Sequence, residues 1–224
     1  MNNTVELIGY YGSDELIACS AWTSTSRELT EEKKKRIPEL LNKLWNDGHE
    51  TPFEKGVVHF LVNCDVASHI HLLKHRISSL NAESARYKEL KENKYYIPED
   101  FYNVKLSDNI YIFGNETPFN RYGDNWGDVL DQLTFETNKL YHQCLKDVEE
   151  VYGRKRAKES ARYFKMYNSQ IQSDVSFNMR SFANFLDLRT SGKAQEEIQE
   201  IANKMLDLVR QTGEFEHTLK AWGY

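Results

Sequence analysis

The chain has 224 residues, 40% of them hydrophobic, and we expect one globular domain spanning residues 1–224. Its net charge of −5 excludes a general attraction to nucleic acid or anionic membranes, so a phosphate ligand would need a local group of Arg and Lys side chains. No apolar run reaches membrane-spanning length, the polar start is not expected to be a signal peptide, and three scattered cysteines favour a reducing cytoplasm over a disulfide scaffold.

The first part of the chain predicts one strand and two helices. Residues 5–10 alternate weakly, as in a strand, and Ser13 or Asp14 can cap a short helix behind it. A second, amphipathic helix is predicted between Thr30, its capping residue, and Gly48, which ends it.

A buried strand is predicted next, because residues 57–63 are rich in β-branched and aromatic side chains. A helix at 66–76 should follow, with His71 and His75 four residues apart on one face. That spacing can hold zinc, but no Glu lies between the two histidines and no further His or Cys cluster follows. We therefore expect no metal site.

The second half of the chain predicts helices around one further strand. The predicted elements are, in order, an irregular segment at 93–125, a helix at 126–152 that Gly153 ends, a helix beginning at Lys158, a strand at 170–178, a helix bearing residues 180–189, and a final amphipathic helix through residues 198–209. Cys144 and His142 face different sides of the first of these helices, so we do not expect them to form a nucleophile and base.

Three stretches concentrate polar and charged side chains that could contact a ligand. They are GHETPFE at 48–54, KHRISSLNAESARY at 74–87, and NMRSFANFLDLR at 178–189. The second combines fixed positive charge with Ser-x-Arg-Tyr, and guanidinium groups are well suited to phosphates and carboxylates. In the third, Arg180 and Asn184 are four residues apart and share one helical face, so both can reach one ligand.

In this order, the three stretches resemble motifs of the flavin-dependent thymidylate synthases. The middle one is similar to the family signature of Arg-His-Arg, seven residues, then Ser, with Lys74 in the first place and Ser84 in the last. The resemblance implies an α+β fold with a central mixed or antiparallel sheet and surrounding helices, assembled as a homotetramer. It also implies reductive methylation of dUMP to dTMP at C5, with FAD as cofactor, methylenetetrahydrofolate as carbon donor and NADPH as reductant.

The resemblance assigns roles to individual residues. Those expected to bind the cofactor are Ser24, His49, Thr51, Lys74, His75, Arg76, Asn178, Arg180 and Asn184. Those expected to bind the substrate are His71, Lys74, Ala82, Glu83, Ser84, Arg86, Arg162 and Arg189. Arg189 is also expected to be catalytic, since a guanidinium at the pyrimidine edge stabilises the negative charge that develops there. For Ser24, a serine-rich turn without further function stays an alternative.

Four residues depart from the family pattern. Lys74 stands for an arginine, Ala82 for a Glu or Gln, His71 for a glutamine and Lys193 for a histidine. These changes concern the base and ribose more than the phosphate. We expect dUMP as substrate, while UMP, dCMP or an inactive flavin- and nucleotide-binding relative stay open alternatives. No nucleic acid or membrane partner is expected.

Overall fold

The structure is a computed structural model that describes residues 2–90, 94–111 and 123–224. Of the irregular segment predicted at 93–125, residues 93 and 112–122 lie outside the described residues, and the described part contains a short 3-10 helix and isolated β-bridges, as expected of an irregular stretch. Within the described ranges the fold is α+β, with helices around an antiparallel sheet, which confirms the expected class. None of the helices in these ranges combines the length and the apolar character needed to cross a membrane.

The element boundaries are as follows. The strands are β1 (Thr4–Tyr11), β2 (Val57–Asp65), β3 (Ser79–Ala82) and β4 (Gln170–Asn178). The α-helices are α1 (Asp14–Ala21), α2 (Glu31–Asn46), α3 (Val66–Leu73), α4 (Trp126–Ala161), α5 (Met179–Arg189), α6 (Glu196–Thr212) and α7 (Glu216–Ala221). Short 3-10 helices occur at Trp22–Ser24, Thr51–Lys55, Glu99–Asn103 and Arg162–Phe164.

The chain divides into two compact units. The sheet unit consists of Asn3–Asn63, Ser68–Ala82 and Gln172–Tyr224. The long-helix unit consists of Met1–Asn2, Cys64–Ala67 and Glu83–Ile171, and contains α4. Almost all of the sheet belongs to the first unit.

The sheet has the strand order β1-β2-β4-β3. β1 runs antiparallel to β2, with Val5 opposite Val62, and β3 runs antiparallel to β4, with Leu80 opposite Val175. Alternate residues of β2 and β4 are fully buried on one face, as period-2 alternation requires. The strand predicted at 170–178 is confirmed at both ends, whereas β3, inside the second motif, was not predicted.

Aromatic packing holds α5 against the buried face of the sheet. The Phe177 and Phe185 ring centroids are 5.2 Å apart, those of Phe60 and Phe182 are 5.7 Å apart, and all four side chains are buried. Burial of each such ring contributes about 2 kcal/mol. Because this packing fixes which side of α5 faces inward, it also fixes which side chains α5 presents outward.

Two helix ends can be compared with the sequence predictions. The helix predicted at 66–76 ends earlier, at Leu73, because the amide N–H groups of Lys74 and His75 bond carbonyls three residues back in a tight final turn. The prediction that His71 and His75 share one helical face is therefore wrong. Gly153 ends the first part of α4 as predicted, with φ of 81°.

Candidate functional site

The sheet unit contains a cavity of about 610 Å³ lined by three chain segments. They are the loop after α2, the residues that follow α3, and the outward side of α5. The predicted site residues among its lining are Lys74, His75, Arg76, Asn178, Arg180, Asn184 and Arg189. The fold thus brings together parts of all three sequence motifs.

The start of α5 is fixed by Asn178, which follows directly from β4. Its side-chain Oδ1 accepts a hydrogen bond of 2.8 Å from the Ser181 amide, so Asn178 is the N-cap of the helix. With the phenylalanines facing inward, Arg180 and Asn184 are exposed on the cavity side, as their spacing predicts.

Arg180 is held by two carboxylates from the GHETPFE motif. Its Nε donates to Glu50 and its Nη1 donates to Glu54, each at 2.7 Å. The hydrogen bonds to Glu54 and then Glu50 raise the pKa of Arg180 above its usual value. This pairing was not predicted from the sequence, although the two glutamates stand four residues apart in that motif.

Arg189, at the end of α5, has different partners. Its Nε donates to His75 Nε2 at 3.0 Å, and its Nη2 donates to the His71 carbonyl at 3.5 Å. Among the described residues, no carboxylate forms an ion pair with this guanidinium, and burial lowers its pKa from the usual value. Arg189 therefore keeps its positive charge and several N–H donors for a ligand in the cavity.

Three of the residues expected to bind the cofactor do not line this cavity. Ser24 is exposed at the end of a 3-10 helix, Thr51 is exposed at the start of another, and His49 is an exposed loop residue whose amide donates to Leu44. His71, expected on the substrate side, is also outside the lining, and its Nε2 lies 3.2 Å from Gln195 Oε1. Their predicted roles stay predictions.

The residues expected to bind the nucleotide phosphate lie in the long-helix unit. The Ser84 carbonyl accepts amide hydrogen bonds from Tyr87 and Lys88, each at 3.0 Å, which closes a turn. Arg86 Nη2 pairs with Glu159 at 3.1 Å, so a phosphate must displace this carboxylate to bind it bidentately. Arg162 is exposed at the start of the Arg162–Phe164 3-10 helix.

Two further residues expected to bind the substrate have different surroundings. Glu83 forms an ion pair with Lys88. Ala82 ends β3, opposite Ser173 of β4. No group of three or more metal-binding side chains occurs in the described part of the chain.

Comparison with known proteins identifies the family. The profile of the thymidylate synthase complementing protein family matches residues 6–212. The chain is 32% identical over 202 residues to the flavin-dependent thymidylate synthase of Pseudothermotoga lettingae, covering 88% of this chain and 80% of the relative. The chain belongs to the flavin-dependent thymidylate synthase family. This membership confirms the resemblance found in the motifs.

Other members of the family are similar over comparable lengths. The flavin-dependent thymidylate synthase of Wolbachia pipientis is 29% identical over 206 residues, covering 92% of this chain and 69% of the relative. A solved structure of the UMP/dUMP methylase PolB from Streptomyces cacaoi, bound with 5-Br dUMP, matches with a TM-score of 0.73 at 25% identity, covering 99% of this chain and 95% of that one. As a flavin-dependent thymidylate synthase family member, the chain is an enzyme of the methyltransferase class.

Membership in this family implies a flavin cofactor, and the residues of the cavity fit one. The volume of about 610 Å³ is typical of small-molecule sites. Ile77 and Leu188 line it although 74% and 53% of their surfaces are exposed, which gives apolar contacts for a planar ring system. Lys74, Arg76 and Arg189 supply positive charge for the anionic parts of such a ligand.

Proposed function

We propose that this enzyme catalyses the FAD-dependent reductive methylation of dUMP at C5 to give dTMP. Methylenetetrahydrofolate is the carbon donor, NADPH is the reductant, and the active form is a homotetramer. Bound flavin supplies the hydride that completes the methyl group. The protein's own contribution is to bind, orient and stabilise charge.

The observation that most supports this proposal is the state of Arg189. It is a partly buried cation whose protein partners are an imidazole nitrogen and a carbonyl oxygen, both neutral acceptors. Making C5 of a pyrimidine nucleophilic, and later removing its proton, places negative charge on the ring oxygens and N3. A guanidinium already oriented in the cavity stabilises that charge by about 3–4 kcal/mol.

The flavin is proposed to contact the cavity through cationic and amide side chains. Those residues are Lys74, His75, Arg76, Asn178, Arg180 and Asn184, with Ser24, His49 and Thr51 completing the set. Arg180 can do this while still paired, because a guanidinium has five N–H donors and the two glutamates accept two of them.

The nucleotide is proposed to be anchored by its phosphate. Ser84 and Arg86 bind the phosphate and Arg162 is a second anchor, while Glu159 gives up its pairing with Arg86. The other residues proposed to bind the substrate, through its sugar and base, are His71, Ala82 and Glu83.

UMP is the second candidate substrate, and two observations favour it. Ala82 has no polar group where relatives are expected to carry Glu or Gln. In addition, the solved structure that covers nearly the whole chain is of a UMP/dUMP methylase. A site lacking one hydrogen-bonding side chain discriminates less strongly between ribose and deoxyribose.

The experiment is an assay of the purified enzyme with FAD, NADPH, methylenetetrahydrofolate and dUMP, with dTMP quantified by mass spectrometry. Wild-type enzyme should form dTMP, and Arg189→Ala should lower kcat at least 100-fold while flavin absorbance stays near the wild-type level. The matched control is Arg210→Ala, which removes an exposed arginine of α6 paired with Asp207 and should keep wild-type turnover.

Two outcomes would count against the proposal. Near-normal turnover by Arg189→Ala would indicate that Arg189 only complements the α5 dipole, which contributes about 0.3–1 kcal/mol to stability. Binding of dUMP without any product, by an enzyme loaded with flavin, would instead support an inactive relative.

A further inference from the structure

The contact between His75 and Arg189 determines which ring nitrogen of the histidine carries a proton. Arg189 Nε has a hydrogen to donate, so His75 Nε2, 3.0 Å away, must be the unprotonated acceptor. A neutral imidazole with a free Nε2 carries its proton on Nδ1. The geometry therefore selects one tautomer of His75.

The surroundings of His75 keep this ring neutral and in place. Its ring packs edge-on against Phe185, with centroids 4.9 Å apart, and only 9% of the residue is exposed. Its carbonyl accepts a hydrogen bond of 2.6 Å from Ser78 Oγ, which fixes the backbone as well. Burial, followed by the charges of Arg189 and His71, lowers the pKa of His75 to about 4.

Arg189 is thereby held from two sides. His75 accepts from Nε, and the His71 carbonyl accepts from Nη2, which leaves three of the five N–H donors for a ligand. His71 lies in the last turn of α3, and His75 follows that helix. This segment therefore fixes the plane of the guanidinium before a ligand binds. A guanidinium held by a carboxylate would instead have much of its charge neutralised.

We propose that His75 is a positioning residue, which in its neutral, Nδ1-protonated form orients Arg189 toward the pyrimidine without reducing its charge. This inference rests on the proposed function of Arg189. If His75 only contacted the flavin, loss of the His75 side chain would leave Arg189 unaffected.

The first test reads the tautomer directly and needs neither flavin nor substrate. Protein labelled with ¹⁵N-histidine should show His75 protonated at Nδ1 only, with no titration between pH 5.5 and 8. In Arg189→Ala, the Nε2 resonance of His75 should shift, as expected for loss of its donor. A His75 ring protonated at Nε2, or titrating near the ordinary histidine pKa, would overturn the proposal.

The second test is a double-mutant cycle on dUMP affinity, measured calorimetrically with flavin-loaded protein. His75→Phe keeps an aromatic ring against Phe185 but removes the acceptor, and should weaken dUMP binding about 10-fold. The same change made in Arg189→Ala should have almost no further effect, because His75 acts through Arg189. His75→Gln, which restores an acceptor oxygen, should recover part of the affinity.

The outcomes separate the two proposals. Independent, additive effects of the two substitutions would show that His75 acts on the flavin or the fold and not through Arg189. If the enzyme binds dUMP but forms no product, the proposed reaction is wrong, while the tautomer and the cycle still decide the role of His75.

Discussion

At the scale of single residues, the departures at Lys74 and Ala82 bear on which nucleotide is accepted. If Ser84 and Arg86 bind the phosphate as proposed, a pyrimidine 5′-monophosphate should bind whatever its sugar and base. Lys74 presents a compact ammonium group to the cavity, where an arginine would present a planar guanidinium. The ammonium supplies positive charge but does not fix the orientation of a bound group. The expected consequence is broadened selectivity and not loss of binding.

A turnover panel of dUMP, UMP and dCMP tests this consequence. Ala82→Gln should raise the preference for dUMP over UMP about 10-fold, since an added hydrogen-bonding group discriminates between the sugars by about 1–3 kcal/mol. Lys74→Arg is the companion variant and should change kcat more than the sugar preference. A wild-type enzyme that methylates dUMP alone, with both variants indistinguishable from it, would show that the departures are neutral.

The lowered pKa of His75 also predicts that the stability of the protein depends on pH. The pKa of this residue is lowered to about 4, whereas an unfolded histidine titrates near 6.5. Between these values the unfolded chain binds more protons than the folded one, so the free energy of unfolding should fall as the pH is lowered through this window. Urea unfolding at pH 7 and pH 5 should show a smaller loss for His75→Phe than for wild type, and an equal loss in both would contradict the assignment.

At the scale of elements, the N-cap of α5 links helix stability to cofactor binding. Asn178→Ala removes the hydrogen bond to the Ser181 amide and should cost about 1 kcal/mol of unfolding free energy. It should also weaken flavin binding, because the first turn of α5 lines the cavity. Calorimetric melting and flavin titration of the same sample separate the two effects.

The matched control is Thr30→Ala, which removes the N-cap of α2. Thr30 Oγ1 accepts from the Lys33 amide, and neither residue lines the cavity. This variant should lose comparable stability and keep wild-type flavin affinity. Equal loss of flavin in both variants would mean that general destabilisation, and not the α5 terminus, governs cofactor binding.

Elements whose signals are local could be predicted from the sequence. Thr30 at the start of α2, Gly153 within α4 and the alternation of β4 all act on neighbouring residues. By contrast, α7 was not predicted, because its N-terminal amides are capped by the Asp14 carboxylate, about two hundred residues away in sequence. The four-residue β3 has too short a pattern to distinguish it from a loop.

The candidate site shows the same division between local and distant information. The motifs identified most of the side chains that line the cavity, since those side chains are specified one position at a time. They could not identify the partners of Arg180 or Arg189, because each pairing depends on how separate segments pack. The end of α3 before Lys74 was also missed, since no Gly or Pro stands there to signal it.

At the scale of the whole molecule, we predict a yellow homotetramer with non-covalently bound FAD. Light scattering after size exclusion should give a mass four times the 26.3 kDa of one chain. Free FAD at 100 times its dissociation constant should add about 2.7 kcal/mol of stability and raise the melting temperature. A colourless monomer that leaves flavin fluorescence unchanged would contradict both parts.

The direct passage of β4 into α5 restricts the insertions and deletions that the chain can accept. Asn178 ends the strand and caps the helix, and the next amide, that of Met179, is already bonded to the Gly56 carbonyl at 2.9 Å. One residue inserted or deleted here would rotate α5 by about 100°. Arg180 would then turn away from the cavity and the phenylalanines would turn out of the core. Variation in length should therefore be absent from this junction and be tolerated in the exposed turn at Gly192 instead.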